Sequence, residues 1–244
     1  MITASRDGAV ALLEIDRQER RNALDTEHCH ALSAALTGAV DGGARAVVLT
    51  GAGTAFCAGA DLDGVHSPEF LTALYEALRT LTELPVPVLA AVNGPAIGAG
   101  TQLALAADLR VVGPTARFGL PTAQLGLAVD PWTLRRLALV AGGGAARRLV
   151  LACEQVTAEQ VPELADRLGD LDVAMAWAAQ VAVLAPMTLA YSKRVLNEVL
   201  EPDLALGAHA AEHEAAFRAC FASADFAEGR AARTERRSPV FRGC

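Results

Sequence analysis

Apolar positions along the chain change their period several times, and each change marks a new element. Val10–Ile15 (VALLEI) is a short apolar run entered through an Asp7-Gly8 turn, and it reads as a strand. A charged loop follows at Arg17–Leu24 (RQERRNAL). Asp25 then stands in N-cap position before a helix running to about Val40, because Ala31, Leu32, Ala35, Leu36 and Val40 share one face at helical spacing. Ala44–Thr50 (ARAVVLT) and Pro87–Val92 (PVLAAV) are continuous apolar runs of strand length. Between them, Glu69–Leu84 returns to helical period with Leu71, Leu74, Tyr75, Leu78 and Leu81 inward, and Pro85 and Pro87 end it. Ile97–Ala107 predicts a buried helix and Leu109–Val112 another strand. From Thr133 onward the pattern is helical, at Thr133–Val140, Ala145–Cys153, Val173–Leu184, Thr188–Val199 and Leu204–Phe221. The alternation of strands and helices predicts an α/β core, and the helical C-terminal portion is expected to pack on it as a lid or an oligomer interface. There is no internal repeat, low-complexity segment or long linker.

Two of the predicted strands run straight into glycine-bearing turns, Gly51–Leu62 (GAGTAFCAGADL) and Asn93–Gly100 (NGPAIGAG). Small residues after a strand let the backbone approach a ligand and leave N–H groups free to point at it. Two such turns can aim two N–H donors at one oxygen, an oxyanion hole for a carbonyl that becomes an enolate. That geometry suits thioester chemistry. Two alternatives stand beside it. Both turns could be tight connections and nothing more, or the first could bind a dinucleotide. The dinucleotide fingerprint fails, because its third glycine position is Phe56 and the strand lies second rather than opening the domain.

Composition narrows the classes further. A chain of 244 residues, 52% hydrophobic, can bury a sizeable core. Its apolar runs are short, none near the ~20 residues of a membrane span. The start of the chain shows no basic leader and apolar core, so a mature, cytoplasmic protein is expected. A net charge of −7 argues against nucleic acid as a partner. Five cysteines, widely spaced and odd in number, point away from a disulfide framework or zinc site. Lys193 is the only lysine, so 20 of the 21 basic residues are arginine, a bias that a GC-rich genome explains without function.

The segments RRNAL (Arg20–Leu24), TGAGTAFCAGADL (Thr50–Leu62), PVLAAVNGPAIGAG (Pro87–Gly100), ADLRVV (Ala107–Val112), RFGLPTAQLGL (Arg117–Leu127) and RRSPVF (Arg236–Phe241) occur in the order and spacing of the enoyl-CoA hydratase/isomerase, or crotonase, superfamily. The chain resembles that family over essentially its whole length, and within it the actinobacterial members that lack the hydratase glutamates. The resemblance implies the α/β crotonase fold: repeated ββα units forming two perpendicular sheets, with a helical C-terminal trimerisation region. It divides the chain into a core at residues 1–185 and an oligomerisation or lid region at residues 186–244. It also implies a CoA thioester as substrate or ligand with no separate cofactor, and a homotrimer or dimer of trimers, with partner enzymes of fatty-acid metabolism as further candidates.

Carried over residue by residue, the resemblance gives Ala60 and Ala99 as the oxyanion donors. Ala99 stands where the family has glycine, so a turn needing positive φ there would be strained. Arg20, Ala23, Ala58, Ala60, Asp61 and Leu62 match positions along the CoA path. The two hydratase glutamates are replaced by Gln102 and Thr122, neither of which can act as a carboxylate acid or base. Asp130 (GLAVDPW) sits where some relatives place a working aspartate. Its plainer reading is an N-cap of the following helix or a partner of Arg135 or Arg136. The dehalogenase form of that chemistry lacks a histidine base in Tyr75–Glu83.

Other candidates are weaker. His209 and His213 stand four apart on an expected helix with no third ligand in view. Cys57 lies by the first turn without a histidine partner. Arg21, Arg236 and Arg237 join Arg20 as cations that could meet phosphates. The expected function is therefore a fatty acyl- or enoyl-CoA thioester-binding protein of lipid metabolism with little or no hydratase activity. The alternative is an isomerase-type enzyme that uses Asp130 as a single proton shuttle beneath an Ala60/Ala99 oxyanion hole.

Overall fold

The computed structural model describes residues 1–61, 67–200, 215 and 218–242. In chain order the elements are β1 (Ile2–Asp7), β2 (Val10–Ile15), α1 (Thr26–Asp41), β3 (Ala46–Gly51), α2 (Pro68–Glu83), β4 (Val88–Val92), β5 (Ala96–Ile97), α3 (Ala99–Ala106), β6 (Leu109–Val112), β7 (Phe118–Gly119), α4 (Pro131–Leu151), β8 (Arg167–Leu168), α5 (Leu171–Ala182), α6 (Pro186–Leu200) and α7 (Ala224–Thr234). Six strands form one sheet in the order β1-β2-β3-β4-β6-β8. β1 and β2 are an antiparallel hairpin with Ile2 opposite Ile15, and every later pairing is parallel. β5 and β7 pair separately, and single bridges from Cys57 to Ala96 and from Phe118 to Val156 widen that second layer.

The continuous apolar runs follow from burial of both faces of the large sheet. Val47 and Leu49 of β3, with Val88 and Ala90 of β4, join the main core beneath α1 and α2. Their neighbours Ala46, Val48, Leu89 and Ala91 point the other way and meet Ala174, Ala178 and Ala182 of α5. Those three alanines stand four apart, and their small side chains let α5 lie close on the strands. α5 and α6 together have the length and composition of a bent span, at an angle of 111°, but no single helix among the described residues is long and apolar enough to cross a membrane.

The expected strand at Val10–Ile15 and the strand at Leu109–Val112 are present with those bounds, and Asp25 caps α1 by accepting from the His28 N–H. Three readings need correction. The segment expected to be helical from Ile97 is strand at Ala96–Ile97 and turns helical only at Ala99, because Gly98 between them has φ 54°. The two helices expected at Thr133–Val140 and Ala145–Cys153 are both present within α4, parted where Gly142 leaves helical geometry with φ 81° and ψ 151°. β1 and α7 carry no strong apolar period and were not foreseen. Arg17–Leu24 is built rather than loose, with a 3-10 turn at Gln18–Arg20 and left-handed backbone at Arg21 and Asn22. Most of the helix expected at Leu204–Phe221 lies outside the described residues, as do His209 and His213.

Candidate acyl-thioester site

The two glycine turns meet. The Ile97 N–H donates to the Cys57 carbonyl (2.9 Å) and the Cys57 N–H to the Pro95 carbonyl (3.1 Å), which stitches one turn to the other. Two asparagines hold the first turn from either side. Asn22 Nδ2 donates to the carbonyls of Ala52 (2.8 Å) and Ala55 (2.7 Å), and Asn93 Nδ2 to those of Gly51 (2.8 Å) and Gly53 (3.0 Å). Both asparagines were missed in the sequence. The signal for Asn22 was its type, since asparagine tolerates the left-handed backbone it adopts at φ 61°.

Each expected oxyanion donor follows a glycine with positive φ, Gly59 at 112° and Gly98 at 54°. The strain expected at Ala99 is therefore absent, because the glycine before it takes the unusual backbone. Around Ala60, the Leu24 N–H donates to the Gly59 carbonyl and the Asp61 N–H to the Leu24 carbonyl, so the bridge passes over the Ala60 N–H. The Gly98 N–H goes to the Gly119 carbonyl, and Ala99 opens α3, where its N–H has no intrahelical acceptor. Neither alanine N–H has an acceptor among the described residues, and both alanines line one cavity of about 560 Å³.

A Cβ on Gly98 would find open space, its nearest neighbour being Gly59 Cα at 3.8 Å, but the backbone there has φ 54° and ψ −117°, a region closed to L side chains. Gly98→Ala should therefore lose about 1–3 kcal/mol of stability through backbone strain alone. Chemical denaturation checks this, and unchanged stability would show that the turn does not need its glycine.

The apolar wall of the cavity is the face of α2 that carries Phe70, Leu71, Leu74 and Tyr75. Ala23, Ala58, Asp61, Arg20 and Arg21 line it as well, whereas Leu62 lies outside the described residues. The Asp61 carboxylate is engaged by Arg17 at 2.8 Å, which fastens the residue after Ala60 to the 3-10 turn. Arg236 and Arg237 do not line the cavity. Arg237 pairs with Glu228 and Glu235, and the cation from that end of the chain that does line the cavity is Arg233. Cys57 is fully buried, and burial pushes its thiol up to about 12, so it is a packing residue and not a nucleophile at neutral pH.

Gln102 and Thr122 both line the cavity. Asp130 does not: it sits behind Gln102, buried at 9% exposure, as the N-cap of α4. Its carboxylate accepts from the Thr133 N–H (2.9 Å), the Thr133 hydroxyl (2.7 Å) and Gln102 Nε2 (3.0 Å). Burial pushes this carboxyl up from its ordinary value, and the hydrogen bonds pull against that shift. The alternative partner Arg136 is directed elsewhere, to the Leu105 carbonyl and to Asn197. No cluster of His, Cys, Asp or Glu among the described residues could hold a metal ion.

A layered α/β core whose paired glycine turns bring Ala60 and Ala99 to one cavity is that of a crotonase-fold protein. The chain belongs to the enoyl-CoA hydratase/isomerase family, whose sequence model matches residues 5–244. It is 45% identical over 246 residues to the protein named "Probable enoyl-CoA hydratase echA6" of Mycobacterium tuberculosis, covering 100% of both chains. Among solved structures it resembles an enoyl-CoA hydratase/isomerase from Pseudoalteromonas atlantica, with 33% identity, 99% of each chain covered and a TM-score of 0.87. It also has the fold of a methylmalonyl-CoA decarboxylase solved with 2-nitronate-propionyl-CoA, with 21% identity, 100% and 98% of the chains covered and a TM-score of 0.92.

Proposed function

We propose that this protein binds a fatty acyl- or enoyl-CoA thioester and does little or no hydration. The thioester oxygen lies between the N–H groups of Ala60 and Ala99, and the acyl chain runs along the apolar face of α2. The observation that carries the reading is the set of carboxylates around the cavity. Among the described residues, those lining it are Glu19, whose side chain is 75% exposed, and Asp61, which Arg17 holds. Hydration needs a group that passes a proton to or from the reacting carbons. Gln102 and Thr122 occupy the lining positions where the family's glutamates would stand, and neither carries such a proton. The isomerase alternative requires Asp130 at the acyl carbons, yet that carboxylate already accepts three hydrogen bonds and stands behind Gln102. In this reading the C-terminal helices serve self-association, as the exposed Met187, Tyr191 and Leu196 on α6 support.

Calorimetry tests the binding directly. Affinity should climb with acyl length by about 0.8 kcal/mol per buried CH₂ until the cavity is full, and the melting temperature should rise with ligand concentration by mass action. Equal affinity for free CoA and palmitoyl-CoA would remove the acyl cavity from the account.

A further inference from the structure

We infer that the corner between α5 and α6 is a wedge that docks on the surface of an anionic lipid bilayer. The inference does not depend on what fills the acyl cavity.

Residues 173–192 contain no Asp, Glu, Lys, Arg or His, although they run through two surface helices. The outer face of a helix on a soluble domain ordinarily carries charge. In α5 the stripe of Ala174, Ala178 and Ala182 is buried on the sheet, and the outward Ala176 and Ala179 are exposed. Between the helices the chain reads Val183-Leu184-Ala185-Pro186-Met187. All five residues are exposed, Val183 by 78% and Met187 by 86%. The helix pair is bent by 111° across this stretch, which makes it a projecting apolar tip and not a groove.

The tip is held in place from three sides. α5 is fixed to the sheet by its alanines, and α6 by Lys193, which donates to the carbonyls of Leu81 and Val86. Arg45 donates to the Leu184 carbonyl at 2.7 Å. These anchors keep the pair from crossing a bilayer, so only the tip enters, to the boundary of headgroups and acyl chains about 5–10 Å deep. A protein partner would need a cleft cut to the wedge, whereas a fluid bilayer yields to it.

The nearby charges favour anionic headgroups. Besides Arg45 at the tip, Arg167 stacks on the Trp177 ring at 4.0 Å, and Trp177 stands about 9 Å before Val183 along α5. Neither arginine has a carboxylate partner among the described residues. Tryptophan and arginine suit the headgroup layer, where an apolar body and a polar end are both satisfied. At physiological salt, charges beyond about 8 Å are screened. The local arginines, and not the net charge of −7, therefore meet the membrane. Tyr191 and Leu196 lie beyond the tip on α6 and remain available for self-association.

The test is flotation of the whole protein with vesicles of three parts phosphatidylcholine to one part phosphatidylglycerol, beside vesicles of phosphatidylcholine alone. The protein should partition into the anionic vesicles, and about 5- to 30-fold less into the neutral ones, the effect of one or two arginines at the surface. Val183→Asp and Met187→Asp should each weaken binding about tenfold or more, the factor for one apolar side chain that no longer inserts. Both positions are exposed, so the melting temperature should stay that of the parent. Absence of the protein from both vesicles, equal partition into the two, or variants that float as well as the parent would overturn the inference. Sedimentation velocity supplies the last arm: if either variant breaks up an oligomer, a second copy of the chain covers the corner and the inference falls.

Discussion

Crotonyl-CoA should leave this protein unhydrated. General acid–base groups contribute roughly 10²–10⁴-fold each, and both lining positions that would supply them hold Gln102 and Thr122. An oxyanion hole alone stabilises the enolate but moves no proton. Restoring the glutamates has a complication visible only in three dimensions. In Gln102→Glu, a carboxylate oxygen would replace the amide nitrogen 3.0 Å from Asp130 Oδ2. Two carboxylates that close cannot both ionise, so one would be held protonated. The double variant Gln102→Glu with Thr122→Glu should therefore recover less hydration than the triple variant that adds Asp130→Asn, whose amide can donate to the new glutamate. A spectrophotometric assay of enoyl-CoA loss should rank the triple variant above the double and the double above the parent. Rapid hydration by the unmodified protein would end the proposal that it is primarily a binder.

Lys193→Met should destabilise the fold by about 3–5 kcal/mol, the usual result of removing one member of a buried ion pair. Lys193 Nζ is 2.8 Å from Asp108 Oδ2 and also donates to the carbonyls of Leu81 (2.9 Å) and Val86 (3.0 Å), with its side chain only 6% exposed. Burial works against both charges: it pushes the Asp108 carboxyl up and the Lys193 ammonium down, while each partner pulls the other back. For both groups burial outweighs the attraction, and the large effect comes from leaving the buried Asp108 carboxyl without its counter-charge, with the Val88 N–H still donating to it. For a chain of this size the melting temperature should fall by about 6–20 °C. Adding Asp108→Asn removes the stranded charge and should return part of the loss. A single Lys193→Met variant within about 0.5 kcal/mol of the parent, the usual spread for surface changes, would show that α6 does not depend on this lysine.

The large elements were legible because burial imposes a period. α2 shows its core face at Leu74, Leu78 and Leu81, and Leu71 and Tyr75, also expected to point inward, pack against the same core and join Leu74 in lining the cavity. β1 was not legible because it is an edge strand with mostly exposed residues, whose pairing to β2 is made by backbone groups. Two-residue strands such as β5 and β7 are too short to show any period. At the site, the backbone donors of Ala60 and Ala99 came from the resemblance, and the structure places both on one cavity. The cluster of Gln102, Asp130 and Thr133 could not be read in advance, since Gln102 comes from α3 and the other two from the start of α4, and the chain supplies no local spacing that joins them.

Under the proposed acyl-CoA reading, the placement of Lys193 and Cys57 bears on whether a bound thioester survives. An acyl thioester transfers its acyl group to any free amine or thiolate it meets. Lys193, the one lysine side chain in the sequence, is turned away toward Asp108 and the end of α2. The Cys57 thiol, a few residues from the Ala60 donor, stays protonated because burial pushes it up to about 12. The described lining of the cavity holds neither a lysine nor a cysteine, so under the proposed acyl-CoA reading a bound acyl group would meet no amine or thiol there.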